Sequence, residues 1–355
     1  VRTTRRRAGG LSTARALALA LTATLLAGCA SGAETGETGG SAAGGARCDG
    51  PATATAAAGI EPVAPQQPQL PATVTDITGA RVTVTDNSRI LALDSYGTLA
   101  STVYALGLGD RLVGRDVSTG IPDLMHLPLV THNGHELNGE AILALRPTVV
   151  LTDYSIGPLE VQLQLKDSGI PVAIMSDQRS RALIGPQIQA VADALGVPEA
   201  GQRLAARVEA DTRAAEAHVA SLISDDPDKR LRMVFLYLRG NAGIYYWFGK
   251  GSGADDLIAA LGGVDVASEA GLEGMRPLNA EGLVRADPDL FLLMSHGLQS
   301  VGGVDGLLKV TGVAETSAGV NKCVIDMSDY QILSFGPQFP KTLDALADAI
   351  YRAAP

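Results

Sequence analysis

Aromatic residues are scarce in this chain of 355 residues: Phe, Tyr and Trp together make up 4%, with a single Trp. Apolar residues still reach 46%, mostly Ala, Val and Leu, which is enough for the interiors of α/β domains. No Lys/Arg cluster occurs in the folded part, and the formal net charge of −10 argues against a nucleic-acid partner. Neither a GxGxxG fingerprint nor a P-loop is present. Gly249-Lys250-Gly251-Ser252-Gly253 lacks Walker spacing and reads as a turn into a helix. Cysteine is nearly absent too, and Cys323 has no CxxC partner, so dithiol redox chemistry has no support.

The N-terminus is a targeting segment. Arg2, Arg5, Arg6 and Arg7 form a basic stretch, and Ala16–Ala27 a short apolar one. That run falls short of the about 20 residues that span a bilayer. It ends in Leu26-Ala27-Gly28-Cys29, which resembles a bacterial lipoprotein processing box. The resemblance implies a cleaved signal peptide (1–28) and a lipid on the Cys29 sulfur. The arginines leave Sec and twin-arginine export both open. Residues 29–72, rich in Gly, Ala, Ser, Thr and Pro, are expected to be a flexible tether. Cys48 lies in this segment and Cys323 near the other end of the chain. An exported protein can hold a disulfide between them, and the sequence leaves that pairing open.

Thr73–Asp86 reads as a hairpin around Thr78-Gly79. Apolar runs at 89–93, 112–114, 129–131, 149–152 and 172–175 then alternate with helical patterns at 98–106, 139–145, 158–166 and 182–195. Such alternation predicts βαβ units and a mainly parallel sheet. Pro198–Ser224 breaks the rhythm: Leu204, Val208, Ala215, Val219 and Leu222 recur at helical spacing until Asp225-Asp226-Pro227. A helix of about 27 residues spans roughly 40 Å. Strands near 231–238, 290–294 and 324–327 follow, with a last helix near 340–352. The expectation is an α/β protein with an N-terminal lobe (73–197), an interlobe helix (198–224) and a C-terminal lobe (225–355). The halves also repeat one another. Asn138 and Pro147 are nine residues apart, as are Asn279 and Pro288, and each pair frames a capped helix followed by an apolar strand.

Chemistry concentrates in Leu231–Gly253. Met233, Phe235, Tyr237 and Arg239 alternate with Val234, Leu236 and Leu238, so Tyr237 and Arg239 share one strand face just before Gly240. Ligands of open α/β sheets bind beyond the carboxyl ends of strands. A phenol, with its reference pKa of about 10, beside a guanidinium suggests a tyrosine held as its anion. A tyrosinate is a hard oxygen donor that suits ferric iron and serves as an axial ligand of haem. The plainer alternative is a strand Tyr bonded to a carbonyl, with Arg239 solvated. Loops preceding the two Asn caps are expected at the cleft between lobes: Thr131–Glu136 in the first half, and Gly271–Pro277 with Met275 and Arg276 in the second. His135 and Arg276 each stand three residues before their Asn. His132 and His135 have metal-ligand spacing, and with Glu136 they could form the zinc site of a hydrolase. Otherwise they are loop histidines.

The lipoprotein box, the tether, the two lobes and the single long helix together resemble the class III substrate-binding lipoproteins of ABC importers for metal chelates. Phe235–Gly240, FGKGSGAD at 248–255, Val301-Gly302-Gly303-Val304-Asp305-Gly306 and LPLVTHNGHELNGEAILALRPTVVLTD at 127–153 are similar to the haem-binding, HmuT-type members. The resemblance implies two Rossmann-like lobes with ferric haem b, the transported ligand, in the interlobe cleft. It implies Tyr237 and His135 as axial ligands, Arg239 on the phenolate and Met294 near the haem, with Met275 and Arg276 in the supporting loop. His132 stays open as the alternative ligand. Also implied are docking to permease subunits through Glu160 and Asp305, anchoring to the membrane at Cys29, a monomer, and no enzymatic activity. A receptor for a siderophore or a corrinoid is the nearest alternative.

Overall fold

The computed structural model describes Cys48, residues 50–57 and residues 59–351. The expected signal peptide and Cys29 lie outside the described residues. Along the chain, β1 (Ala52–Ala54) precedes the hairpin of β2 (Ala72–Thr75) and β3 (Arg81–Val84), then β4 (Ile90–Leu93) and α1 (Thr98–Val103). Next come β5 (Thr131–His132), β6 (Glu136–Leu137), α2 (Gly139–Ala144), β7 (Val149–Thr152), α3 (Leu159–Asp167), β8 (Val172–Ile174) and α4 (Arg181–Ala194). β4, β7 and β8 form a parallel sheet in that order. Every residue in these strands is buried, as parallel strands require when crossover helices cover both faces. The apolar runs expected as strands at 112–114 and 129–131 make only single bridges, Ile90↔Leu112 and Arg115↔Leu129. The first run touches the sheet edge through Val113 N, which donates to Ile90 O at 3.1 Å, and the second pairs with Arg115 just beyond it: Arg115 N donates to Pro128 O at 2.9 Å, and Val130 N to Arg115 O at 2.9 Å.

Helix α5 (Pro198–Leu222) joins the halves. Pro198 occupies its first turn, where a missing N–H costs nothing, and Leu204, Val208, Ala215 and Val219 are buried on one side. It packs on α4 from one half and on the terminal helix Phe339–Tyr351 from the other.

The second half contains β9 (Arg232–Arg239), β10 (Ile244–Phe248), α6 (Ala254–Ala260), β11 (Val264–Asp265), β12 (Met275–Pro277), β13 (Leu290–Met294) and β14 (Val324–Met327). Its sheet runs β1-β14-β13-β9-β10-β12, with β11 also on β9. β13 is parallel to both neighbours, whereas β10 and β12 turn back as antiparallel strands. The internal repeat is visible in detail. The Asn138 side chain accepts from Ala141 N and Asn279 from Gly282 N, and the residue before each proline, Arg146 and Asp287, has φ of 46° and 40°.

Residues 50–71 correct the tether expectation. β1 lies parallel to β14 at the sheet edge, and Thr53 Oγ1 donates to Asp326 Oδ1 at 2.8 Å. Cys48 is disulfide-bonded to Cys323, with Cα atoms 5.7 Å apart. The segment then crosses beside α5 to the first half. Arg207 Nη2 donates to Glu61 O (2.6 Å), Val63 N to Ala105 O (2.8 Å) and Gln69 N to Gly196 O (2.7 Å). Composition misled here because the strap is held by its backbone groups, the disulfide and a few small buried side chains such as Ala54, Ala56 and Val63.

Candidate ligand-binding site

Strand register decides which side chains share the face of Tyr237. Tyr246 stands opposite Tyr237, Phe248 opposite Phe235, and Met275 opposite Phe248. Cross-strand partners project to the same side, so Tyr237, Tyr246, Phe248 and Met275 form one surface. β13 runs in register with β9 as far as Leu293↔Leu236, which brings Met294 beside Tyr237 on that surface. Arg276 pairs with Trp247 and so starts from the opposite face. This separates it from Met275 along the strand. The Tyr237 ring stacks on Phe248, with centroids 6.0 Å apart and planes at 22°.

Arg239 follows Tyr237 on the same face at the end of β9. Its Nε donates to Tyr237 Oη, and its guanidinium carbon lies 5.5 Å from the phenol ring centroid. The bond is charge-assisted, because its donor is a guanidinium. The same guanidinium reaches the first half: a Cβ on Gly134 would stand 3.5 Å from Arg239 Nη1. The β5–β6 loop thus lies against the Tyr237–Arg239 pair. Asn133 (φ 47°) and Gly134 (φ 92°) supply the positive φ values that this tight loop requires.

The two histidines of the loop part ways. His132 is exposed and turned to Glu136, with Nε2 3.6 Å from Oε2. His135 is half-buried, and its Nδ1 lies 3.3 Å from Ser118 Oγ. Burial, and then the Arg239 charge, hold the His135 pKa below the usual imidazole value, while Asp94 and Asp329 oppose them. A neutral imidazole keeps a lone pair for a metal. Glu136 also accepts from Asn133 Nδ2 at 3.1 Å. No group of three His, Cys, Asp or Glu side chains among the described residues could hold a metal ion, which removes the support for the zinc-hydrolase reading. What remains is an oxygen donor from one half and a nitrogen donor from the other, beside a surface of Phe248, Met275 and Met294.

Sequence reasoning missed a cavity beside Ser118. Tyr330 packs against Gly120, where a Cβ would come within 2.2 Å of its ring. Beside it is a mostly apolar cavity of about 230 Å³ whose lining also includes the hydroxyl residues Ser118, Tyr330 and Ser334. Deeper in the first half are three buried carboxyls, at the ends of β4 (Asp94) and β7 (Asp153) and at Asp116. Arg179 Nη2 lies 3.0 Å from Asp153 and 3.5 Å from Asp94. Burial and the Asp94 charge push Asp116 up to about 7 and Asp153 up to about 6. No local motif marks these acids, because only the packed sheet brings them together.

Glu160 is exposed in the first turn of α3, and Asp305 is exposed with Lys322 Nζ 3.8 Å away. Among the described residues no helix is long and apolar enough to cross a membrane.

Residues 95–330 match the family described as periplasmic binding protein. The chain belongs to this family. Its two α/β lobes joined by α5 are the class III form of the fold, and membership makes it an extracytoplasmic binding protein. Among solved structures it is similar to heme binding protein HmuT, at 44% identity and a TM-score of 0.81, covering 86% of this chain and 98% of that one. It is similar to the periplasmic heme-binding protein RhuT from Roseiflexus sp. RS-1, at 38% identity and a TM-score of 0.68, over 75% of this chain and 98% of that one. The heme-binding protein BhuT in complex with two hemes matches at 30% identity and a TM-score of 0.64, over 74% and 98%. Among curated proteins none matches.

Proposed function

We propose that this chain is a monomeric, lipid-anchored receptor that binds ferric haem between its lobes and delivers it to an ABC importer. The observation that carries the reading is the Tyr237–Arg239 pair facing the His135 loop across the cleft. Ferric iron takes an anionic oxygen on one axial side and a neutral nitrogen on the other. Phe248, Met275 and Met294 suit an apolar macrocycle. One ligand from each lobe couples iron coordination to closure, so separating the lobes removes one bond at a time. The similar HmuT structures add support: they include variants that replace a histidine, and a tyrosine and an arginine two positions apart. That is the spacing of Tyr237 and Arg239.

Titration of ferric haem into purified protein, followed by visible absorption, tests the assignment. Tyr237→Ala is expected to lose the phenolate-to-iron charge-transfer band and most affinity. His135→Ala is expected to keep haem with an altered spin state, with water, His132 or Met294 as substitute. A wild-type spectrum and affinity in Tyr237→Ala would falsify the site.

Two further elements belong to the same reading. Glu160 and Asp305 are the acids proposed to meet basic residues of the permease. Cys29 is the proposed lipid attachment, and two acyl signals are needed for a stable anchor. Detergent-phase partitioning should vanish in Cys29→Ala; if the variant partitions like wild type, the anchor lies elsewhere.

A further inference from the structure

Ser118 lies in the loop that follows the Asp116 carboxylate and is buried. Its hydroxyl donates to Ser95 O at 2.8 Å and lies 3.3 Å from His135 Nδ1. A hydroxyl carries one proton and two lone pairs. Since its proton goes to the Ser95 carbonyl, the oxygen can only accept from His135. Nδ1 must then bear the hydrogen, and Nε2 keeps the lone pair. We propose that Ser118 is a positioning residue that fixes His135 as the Nδ1–H tautomer and thereby presents Nε2 to the cleft as the ligating atom. This deepens the haem-receptor reading and rests on His135 being an iron ligand.

The serine is itself held on several sides. Its backbone packs on Gly97, where a Cβ would stand 2.4 Å from Ser118 O. Val117 N donates to Thr131 Oγ1 at 3.1 Å, which ties the segment to the strand that leads into the histidine loop. On the other side Thr119 N and Oγ1 donate to Asp116 Oδ1 at 2.8 and 3.0 Å. Asp116 Oδ2 in turn accepts from Asp94 N at 3.0 Å. Ser95 is pinned by its own amide, which donates to Ser155 Oγ at 3.0 Å. A partner fixed in this way sets the tautomer, orientation and basicity of a ligating imidazole, and loss of such partners typically costs about 10–100-fold in metal affinity.

Selective ¹⁵N labelling of histidine in the haem-free protein reads the tautomer directly, through two-bond ¹H–¹⁵N correlations of His135. Wild type and Ser118→Thr should show a protonated Nδ1 and a bare Nε2. Ser118→Ala should shift toward the Nε2–H form, which free histidine favours in water. With ferric haem, Ser118→Ala should bind about tenfold more weakly with a changed spin state, and Ser118→Thr should restore both. An Nε2–H tautomer in wild type overturns the proposal, as does a Ser118→Ala variant with unchanged tautomer and haem spectrum. A wild-type haem spectrum in His135→Ala would instead remove His135 from the receptor reading, and this role for Ser118 with it, whatever the tautomer.

Discussion

Arg239 reaches toward Gly134 across the cleft, its Nη1 3.5 Å from where a Cβ on that glycine would stand, while its Nε donates to Tyr237. One cation therefore acts on both donors. It donates a charge-assisted bond to the phenol oxygen and disfavours a proton on His135.

Arg239→Ala should raise the His135 pKa toward its ordinary value, because the second-largest cause of its depression is gone while burial remains. An NMR pH titration of the haem-free variant reads this shift. An unmoved His135 would mean that the guanidinium does not face the imidazole in solution. The same variant should bind ferric haem more weakly than wild type.

Breaking the strap should destabilise the protein without touching the cleft. The disulfide closes a loop of 275 residues and holds the segment that leads into β1. Replacing both Cys48 and Cys323 by Ser should cost about 2–4 kcal/mol in chemical denaturation. Hydrogen-exchange protection of Ala52–Ala54 should fall with it, and retention of full protection would show that strand pairing alone secures the strap.

Acid groups beneath the site should make stability fall as the pH rises. Asp116, at about 7, and Asp153, at about 6, keep protons in the folded state that the unfolded chain has released near its ordinary value of 3.8. With more protons bound in the native state, the slope is negative from about pH 4 to about pH 7. Asp116→Asn removes its share of that slope, at most about 4 kcal/mol. Its Tm relative to wild type should climb across this window; the lost acceptor for Asp94 N shifts the level but not the slope. Parallel Tm curves would rule out the raised Asp116 pKa.

Charge reversal on α3 should separate delivery from binding. Glu160→Arg is expected to reduce haem uptake by cells while haem titrations of the purified variant match wild type. Normal uptake would exclude this face as the permease contact.

Much of the architecture is written in local periodicity. Alternation in β9 places Tyr237 and Arg239 on one side whatever the rest of the chain does, and the Asn138 and Asn279 caps act over three residues. The same short range limits what sequence can say about the site. His132 and His135 are equivalent by spacing; they differ because Ser118 and Arg239, distant in sequence, meet only one of them. Met275 and Arg276 differ because the register of β12 on β10 assigns their faces, and register is a property of two strands. The Cys48–Cys323 bond and the strap depend on backbone partners far along the chain, which composition does not encode. Sequence by itself determined the elements and the chemistry available on each. Tertiary packing decided which of those groups face one another, because hydrogen bonds and charges act over a few ångströms that only the folded chain sets.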